Sequence, residues 1–164
     1  MANKSQGGGS ILDQSHIMDL VHYPFGGFKS VIAFNSKLSS LEIEADDCAE
    51  LIIELKNGIL SSIHTDIYGR DHKKSLEIKG ENGNIIWDHY SNTVVKYDSL
   101  TKETNVYDHF HDDFNINYIN EIQHFINCCK GEEEPLATLG EGIDTMKLIL
   151  SAEKSHLEGK KIII

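Results

Sequence analysis

Apolar and polar positions follow three successive rhythms along the chain. Near the start, Ile17, Leu20 and Val21 recur at i, i+3 and i+4, which predicts a short helix after Asp13. The middle changes to β-rich composition and period two. Residues 28–38 carry Val31, Ile32 and Phe34, as a strand does. Ala49, Leu51, Ile53 and Leu55 alternate with Glu50 and Glu54, which predicts a strand with one solvated or interfacial face. Asn57-Gly58 follows, and Ile59, Ser61, Ile63 and Ile67 resume the alternation. Asn-Gly between alternating runs predicts a hairpin whose two turn residues both take positive φ. Leu76 and Ile78 lead into Glu81-Asn82-Gly83-Asn84, and Ile85, Ile86 and Trp87 continue beyond that turn. A last strand pair, 93–97 and 103–107, flanks Ser99-Leu100-Thr101-Lys102.

The end of the chain turns helical. Tyr118, Ile119, Ile122, Phe125, Ile126 and Cys129 form an amphipathic stripe. Asp112 or Asp113 is expected to cap its start, and Gly131 to end it. Glu132-Glu133-Glu134-Pro135 reads as a solvated linker. Ile143, Met146, Ile149, Leu150 and Leu157 mark a final helix ending at Gly159. Strands followed by helices predict an α+β domain: a largely antiparallel open sheet of about six to eight strands with helices packed on one face.

A chain of 164 residues has room for one domain with a core. Residues 1–10 are polar and Gly-rich and are expected to form a linker or frayed end, with the domain spanning 11–164. The formal charge of −11 repels phosphate backbones and argues against nucleic-acid and anionic-membrane partners. No apolar run has the length of a bilayer span, and Met-Ala-Asn-Lys-Ser-Gln lacks a signal peptide's apolar core. Three cysteines, two of them adjacent, fit neither a disulfide framework nor a spaced zinc motif. They read as small apolar residues of a cytoplasmic protein.

The chemistry-bearing stretch is Gly7-Gly8-Gly9-Ser10-Ile11-Leu12-Asp13-Gln14-Ser15-His16-Ile17-Met18-Asp19. Asp13 is placed to N-cap the first helix, with His16 in its first turn. The positive helix end disfavours imidazolium, and a nearby carboxylate favours it and fixes the tautomer. A neutral, oriented His can take a proton from an alcohol. The residues alone also allow a plain cap and a surface His.

This stretch resembles the segment opening the C-terminal domain of glucose-fructose oxidoreductase/inositol dehydrogenase/rhizopine catabolism (Gfo/Idh/MocA) oxidoreductases. Many members space the Asp and the His by four positions, with a Gly between. Here the spacing is three, with Ser15 between. Ser75-Leu76-Glu77-Ile78-Lys79-Gly80, the two Asn-Gly turns, Tyr118-Ile119-Asn120-Glu121-Ile122-Gln123-His124-Phe125 and the final Gly-Lys-Lys extend the resemblance.

The resemblance implies the substrate-binding domain of an NAD(P)-dependent oxidoreductase acting on a sugar, cyclitol or derivative. It makes His16 and Asp13 catalytic and sets Asp19, Tyr68 and Arg70 around the substrate. Arg70 suits a substrate carboxylate or phosphate, which it can grip bidentately. No Gly-x-Gly-x-x-Gly follows a strand here, so the dinucleotide-binding Rossmann half has no counterpart in this sequence. NAD or NADP is expected in the full enzyme and none on this chain alone, which is expected to be inactive. The alternative is a non-catalytic small-ligand-binding or dimerisation module. Ile52, Leu60 and Ile86 on the outer face of the sheet predict a homo-oligomer. Asp108-His109-Phe110-His111-Asp112-Asp113 reads as a capped loop rather than a metal site. His64 and Asp66 share the non-core face and fit a pocket or an interface equally.

Overall fold

The computed structural model describes residues 3–108 and 115–164. These form two compact units, residues 1–69 with 136–164 and residues 70–135. The class is α+β: among the described residues, eight strands form two antiparallel four-stranded sheets.

In the first unit, helices α1 (Ser10–Asp13) and α2 (Ser15–Phe25) precede strands β1 (Phe28–Ser36), β2 (Cys48–Leu55) and β3 (Leu60–Asp66). The second unit holds β4 (Ser75–Gly80), β5 (Gly83–Asp88), β6 (Thr93–Asp98), β7 (Thr104–Asp108) and α3 (Asn115–Lys130). The chain returns to the first unit with α4 (Leu139–Glu158) and β8 (Ile162–Ile163).

The first sheet runs β3-β2-β1-β8. Strand alternation sends Val31, Ala33, Leu51, Ile53, Leu55 and Ile63 to one face, where they are buried with Ile11, Met18, Val21, Leu148, Ile149 and Ala152 of the helices. The other face stays open: Phe34 and Ile52 are 68% and 58% exposed. The β2–β3 hairpin differs from the expected two-residue turn. Leu55 and Ile59 face each other across Lys56-Asn57-Gly58, and only Gly58 takes positive φ, at 87°. The extra residue sets Leu51 opposite Ile63 and Glu50 opposite His64. A two-residue loop would pair apolar positions with polar ones, because one step of register exchanges the faces.

Helix α4 lies close along β1, and of the five apolar residues that mark it only Ile149 is buried. Thr145, Leu148, Ile149, Ala152 and Ser155 are buried, while Ile143, Met146, Leu150 and Leu157 are exposed. Small and polar residues occupy the seam because the helix backbone approaches the strand. Ser155 Oγ accepts the Ala33 N–H at 3.0 Å and donates to the Lys160 carbonyl at 2.6 Å. His156 Nδ1 accepts the Asn35 N–H at 3.3 Å. Thr138 and Glu141 cap the helix start reciprocally, and Gly159 ends it at φ 62°.

The second sheet runs β4-β5-β6-β7. Asp88 and Asp98 head its later turns, each carboxylate accepting two backbone N–H groups. Helix α3 ends at Lys130 with Gly131 at φ 74°, as expected, and none of its residues is buried. The capping positions Asp112 and Asp113, and with them most of the Asp108–Asp113 run, lie outside the described residues.

Candidate active site

The Gly-rich start is packed rather than frayed at its end: Gly8, Gly9 and Ser10 are buried. Gly9 has φ 133°, and a Cβ there would sit 2.5 Å from Asp46 Oδ1. Only a glycine lets the backbone pass so close to that carboxylate. Asp46 then caps α1 from a distant segment. Its carbonyl accepts the Ser10 N–H at 2.9 Å, and its carboxylate accepts the Ile11 N–H at 3.3 Å.

The expected role of Asp13 as an N-cap is therefore corrected. Asp13 closes α1, its carboxylate 3.3 Å from the Gly9 N–H, and Gln14 interrupts the helix before α2 begins. Gln14 makes no side-chain cap bond. It donates to the Asp66 carbonyl at 2.7 Å, while Ser10 Oγ donates to the Thr65 carbonyl at 2.9 Å. The α1–α2 junction is thus fastened to the end of β3 from the helix-covered side of the sheet. His16 is the second residue of α2 and is exposed, still at the helix end where backbone N–H groups point outward.

Asp19 is one turn further along α2 and half-buried. Its carboxylate accepts a bond from Thr145 Oγ1 of α4 at 3.4 Å. His22, buried, stands edge-on to Phe28 with ring centroids 5.3 Å apart, and its Nε2 is 4.0 Å from Asp144. Asp13, His16 and Asp19 therefore share one continuous segment whose two ends are tied to β3 and α4.

Tyr68 follows β3 in the first unit. Asp66 Oδ1 accepts the N–H groups of Tyr68 at 3.1 Å and Gly69 at 2.5 Å, which shapes the exit turn. The nearby Cys48 thiol raises the Tyr68 phenol above its usual range. Arg70 begins the second unit and is exposed.

On the open face of the first sheet, His64 Nδ1 is 2.6 Å from Glu50 Oε1 and Nε2 is 3.0 Å from Asp66 Oδ2. The Glu50 carboxylate raises the imidazole pKa, burial opposes it, and Asp66 adds to the rise. Cys48 joins this group, and ligand atoms of Cys48, Glu50 and His64 lie within 4.8 Å of one another. Sequence reasoning missed this cluster. Its signal is a pair of i, i+2 spacings, Cys48-x-Glu50 and His64-x-Asp66, which need the hairpin register to meet.

A family model described as "Oxidoreductase family, C-terminal alpha/beta domain", of the Gfo/Idh/MocA group, matches residues 2–164. The chain belongs to this family.

Solved structures of similar fold include several oxidoreductases. The WlbA dehydrogenase from Bordetella pertussis, in complex with NADH and UDP-GlcNAcA, is 24% identical with a TM-score of 0.72, covering 96% of this chain and 48% of that one. Levoglucosan dehydrogenase in complex with NADH is 16% identical with a TM-score of 0.85, covering 96% and 50%. An oxidoreductase from Agrobacterium radiobacter, in complex with NAD+, L-tartaric acid and magnesium, is 16% identical with a TM-score of 0.76, covering 93% and 48%. The Gfo/Idh/MocA chain described here thus spans about half the length of each. No curated protein sequence matches it. Among the described residues, no helix is long and apolar enough to cross a membrane.

Proposed function

We propose that this chain is the substrate-binding part of an NAD(P)-dependent oxidoreductase acting on a sugar, cyclitol or derivative. The observation that carries this reading is the locked α1–α2 junction. Buried Ser10 and half-buried Gln14 fix a helix start bearing Asp13, His16 and Asp19. Family membership supports it, and so do related folds solved with NADH and sugar-type ligands, UDP-GlcNAcA and L-sorbose.

The dinucleotide does not fit this chain alone. Among the described residues every strand pairing is antiparallel, and no Gly-rich strand–turn–helix occurs. A nicotinamide held by another part of the protein supplies the hydride acceptor. His16 takes the proton of the substrate hydroxyl, and Asp13 holds that hydroxyl or the imidazole. Asp19 steadies the segment through Thr145, and Tyr68 and Arg70 border the substrate. The isolated chain then binds NAD(P) weakly and does not turn over; micromolar NAD binding by calorimetry contradicts this. The free cysteines support a cytoplasmic location.

The test is His16→Ala in the full enzyme, assayed with NAD(P) and a panel of polyols and sugar derivatives. The chemical step falls roughly 100-fold or more, the scale of a lost general base. Unchanged turnover dismisses His16 as the base.

A second reading rests on the open face. Ile32, Phe34, Ile52, Leu60 and Ile163 are all exposed there, and a second copy would cover them. In this reading the chain is a homo-oligomerisation module for which His16 is expendable.

A further inference from the structure

We propose that Cys48, Glu50 and His64 form a binding site for a divalent ion of the zinc class on the open face of the first sheet, with Asp66 orienting the imidazole. The site is independent of the oxidoreductase reading.

Register builds it. Glu50 is directly opposite His64 and Cys48 directly opposite Asp66. Opposed residues of an antiparallel pair project to the same face, with Cβ atoms about 4.5–5.5 Å apart. The four side chains thus form a compact quadrilateral of sulfur, nitrogen and oxygen donors. Ligand atoms of Cys48, Glu50 and His64 lie within 4.8 Å of one another. Donors around a tetrahedral zinc ion stand roughly 3.3–3.7 Å apart, so small side-chain rotations close the site.

The supporting contacts match what a metal-bound imidazole requires. His64 offers Nδ1 on the Glu50 side, while Nε2 is 3.0 Å from Asp66 Oδ2. Asp66 is itself fixed by the Tyr68 and Gly69 N–H groups. A carboxylate holding the far ring nitrogen sets the tautomer and the direction of the ligating one. A thiolate, an imidazole and a carboxylate together suit a borderline-soft ion better than magnesium or calcium. Cys48 is 7% exposed, whereas the side chains of Glu50 and His64 are more than half exposed. The sulfur therefore forms the floor, with Glu50 and His64 at the outer rim. A histidine bridging two carboxylates needs no thiol; the buried sulfur against them is what points to a metal.

The probe is cobalt(II), added to the metal-free chain and read by absorption, with zinc(II) as competitor. The expected result is one cobalt per chain with a thiolate-to-cobalt band that zinc abolishes. Cys48→Ser removes that band. A Cys128→Ser/Cys129→Ser double variant keeps it, which separates the site from the other cysteines and from His124 beside Cys128. Glu50→Gln and His64→Gln, on the exposed face, weaken zinc by at least 10-fold. Asp66→Asn weakens it by roughly 10–100-fold without removing the band. The proposal is overturned by absence of a thiolate band, by a band that survives Cys48→Ser, or by one lost in the Cys128/Cys129 double variant. If Cys48→Ser does not fold, unchanged zinc affinity in both Glu50→Gln and His64→Gln overturns it equally.

Discussion

Replacing Asp47 by Asn should destabilise the first unit by about 2–4 kcal/mol at neutral pH. Asp47 is fully buried where the long connection between β1 and β2 returns to the sheet. Its Oδ1 accepts the Leu38 N–H at 2.6 Å. Its Oδ2 accepts the Ser39 N–H at 2.9 Å and the Ser39 hydroxyl at 2.5 Å, with Lys37 Nζ at 3.2 Å. Burial alone would push this carboxyl up. The Leu38 N–H, the Ser39 hydroxyl and N–H, and Lys37 outweigh burial and hold it far below the usual carboxylate range. Asn keeps the shape and only one acceptor oxygen. Its best orientation serves Ser39 and turns the amide N–H2 against the Leu38 N–H. One charge-assisted bond is then lost, worth about 1.5–3 kcal/mol, and the Lys37 pairing adds up to about 1 kcal/mol. The effect reaches the turn carrying Tyr68, because the Asp47 carbonyl accepts the Ile67 N–H. Urea unfolding followed by circular dichroism, with amide exchange at Leu38 and Ser39, measures it. The sign with pH is fixed. A depressed carboxyl stabilises fully above its unfolded pKa, near 3.9, and loses that contribution as pH falls toward the folded value. The gap between wild type and variant should therefore narrow below about pH 4. A difference under about 0.5 kcal/mol at pH 7, or a gap equally wide at pH 3, refutes the reasoning.

Three further outcomes are expected. Leu148→Ala removes a fully buried side chain from the α4 seam and should cost about 2–5 kcal/mol in urea unfolding. Gly9→Ala drives a Cβ into the Asp46 carboxylate at an unfavourable φ, so amide protection at Ser10 and Ile11 should fall sharply while that in β5 and β6 is unchanged. Glu54 is held down to about 2 by Lys161, Lys29 and the Ser30 hydroxyl. The stabilisation it provides is complete above its ordinary value and lost as pH falls from about 4.5 toward 2, and Glu54→Gln should flatten that part of the stability profile.

Side-chain rhythm carried the strands well, because each of β1–β3 has one wet face and one dry face. The end of α3 was equally plain, since Gly131 marks it locally. The site helix was harder. Asp13 has the composition of a cap, yet Asp46 performs that task from 35 positions away, and a local pattern holds no trace of it. The α4 helix and its Gly159 end were legible, but its buried stripe was not, because Thr145, Ala152 and Ser155 are buried for their small size and their bonds, not their hydrophobicity. The Cys48 cluster needed register, which turned on one extra residue in the Lys56-Asn57-Gly58 loop. The motif singles out His16 as a candidate; its surroundings came only with the fold.

The side-chain contacts of Ser155 and His156 bear on how this protein avoids sticking to itself. Strand β1 is paired along its whole length by β2, but β8 covers only Ser30 and Val31 on its other edge. Further on, two of the exposed-edge amides, Ala33 and Asn35, are taken by Ser155 and His156. A bare edge invites strand addition by another chain, the first step toward ordered aggregates. Here a helix side chain serves as the stopper, and it depends on one hydroxyl and one imidazole. Loss of the short tail that places β8, or of Ser155, would reopen that edge before it unfolded the core.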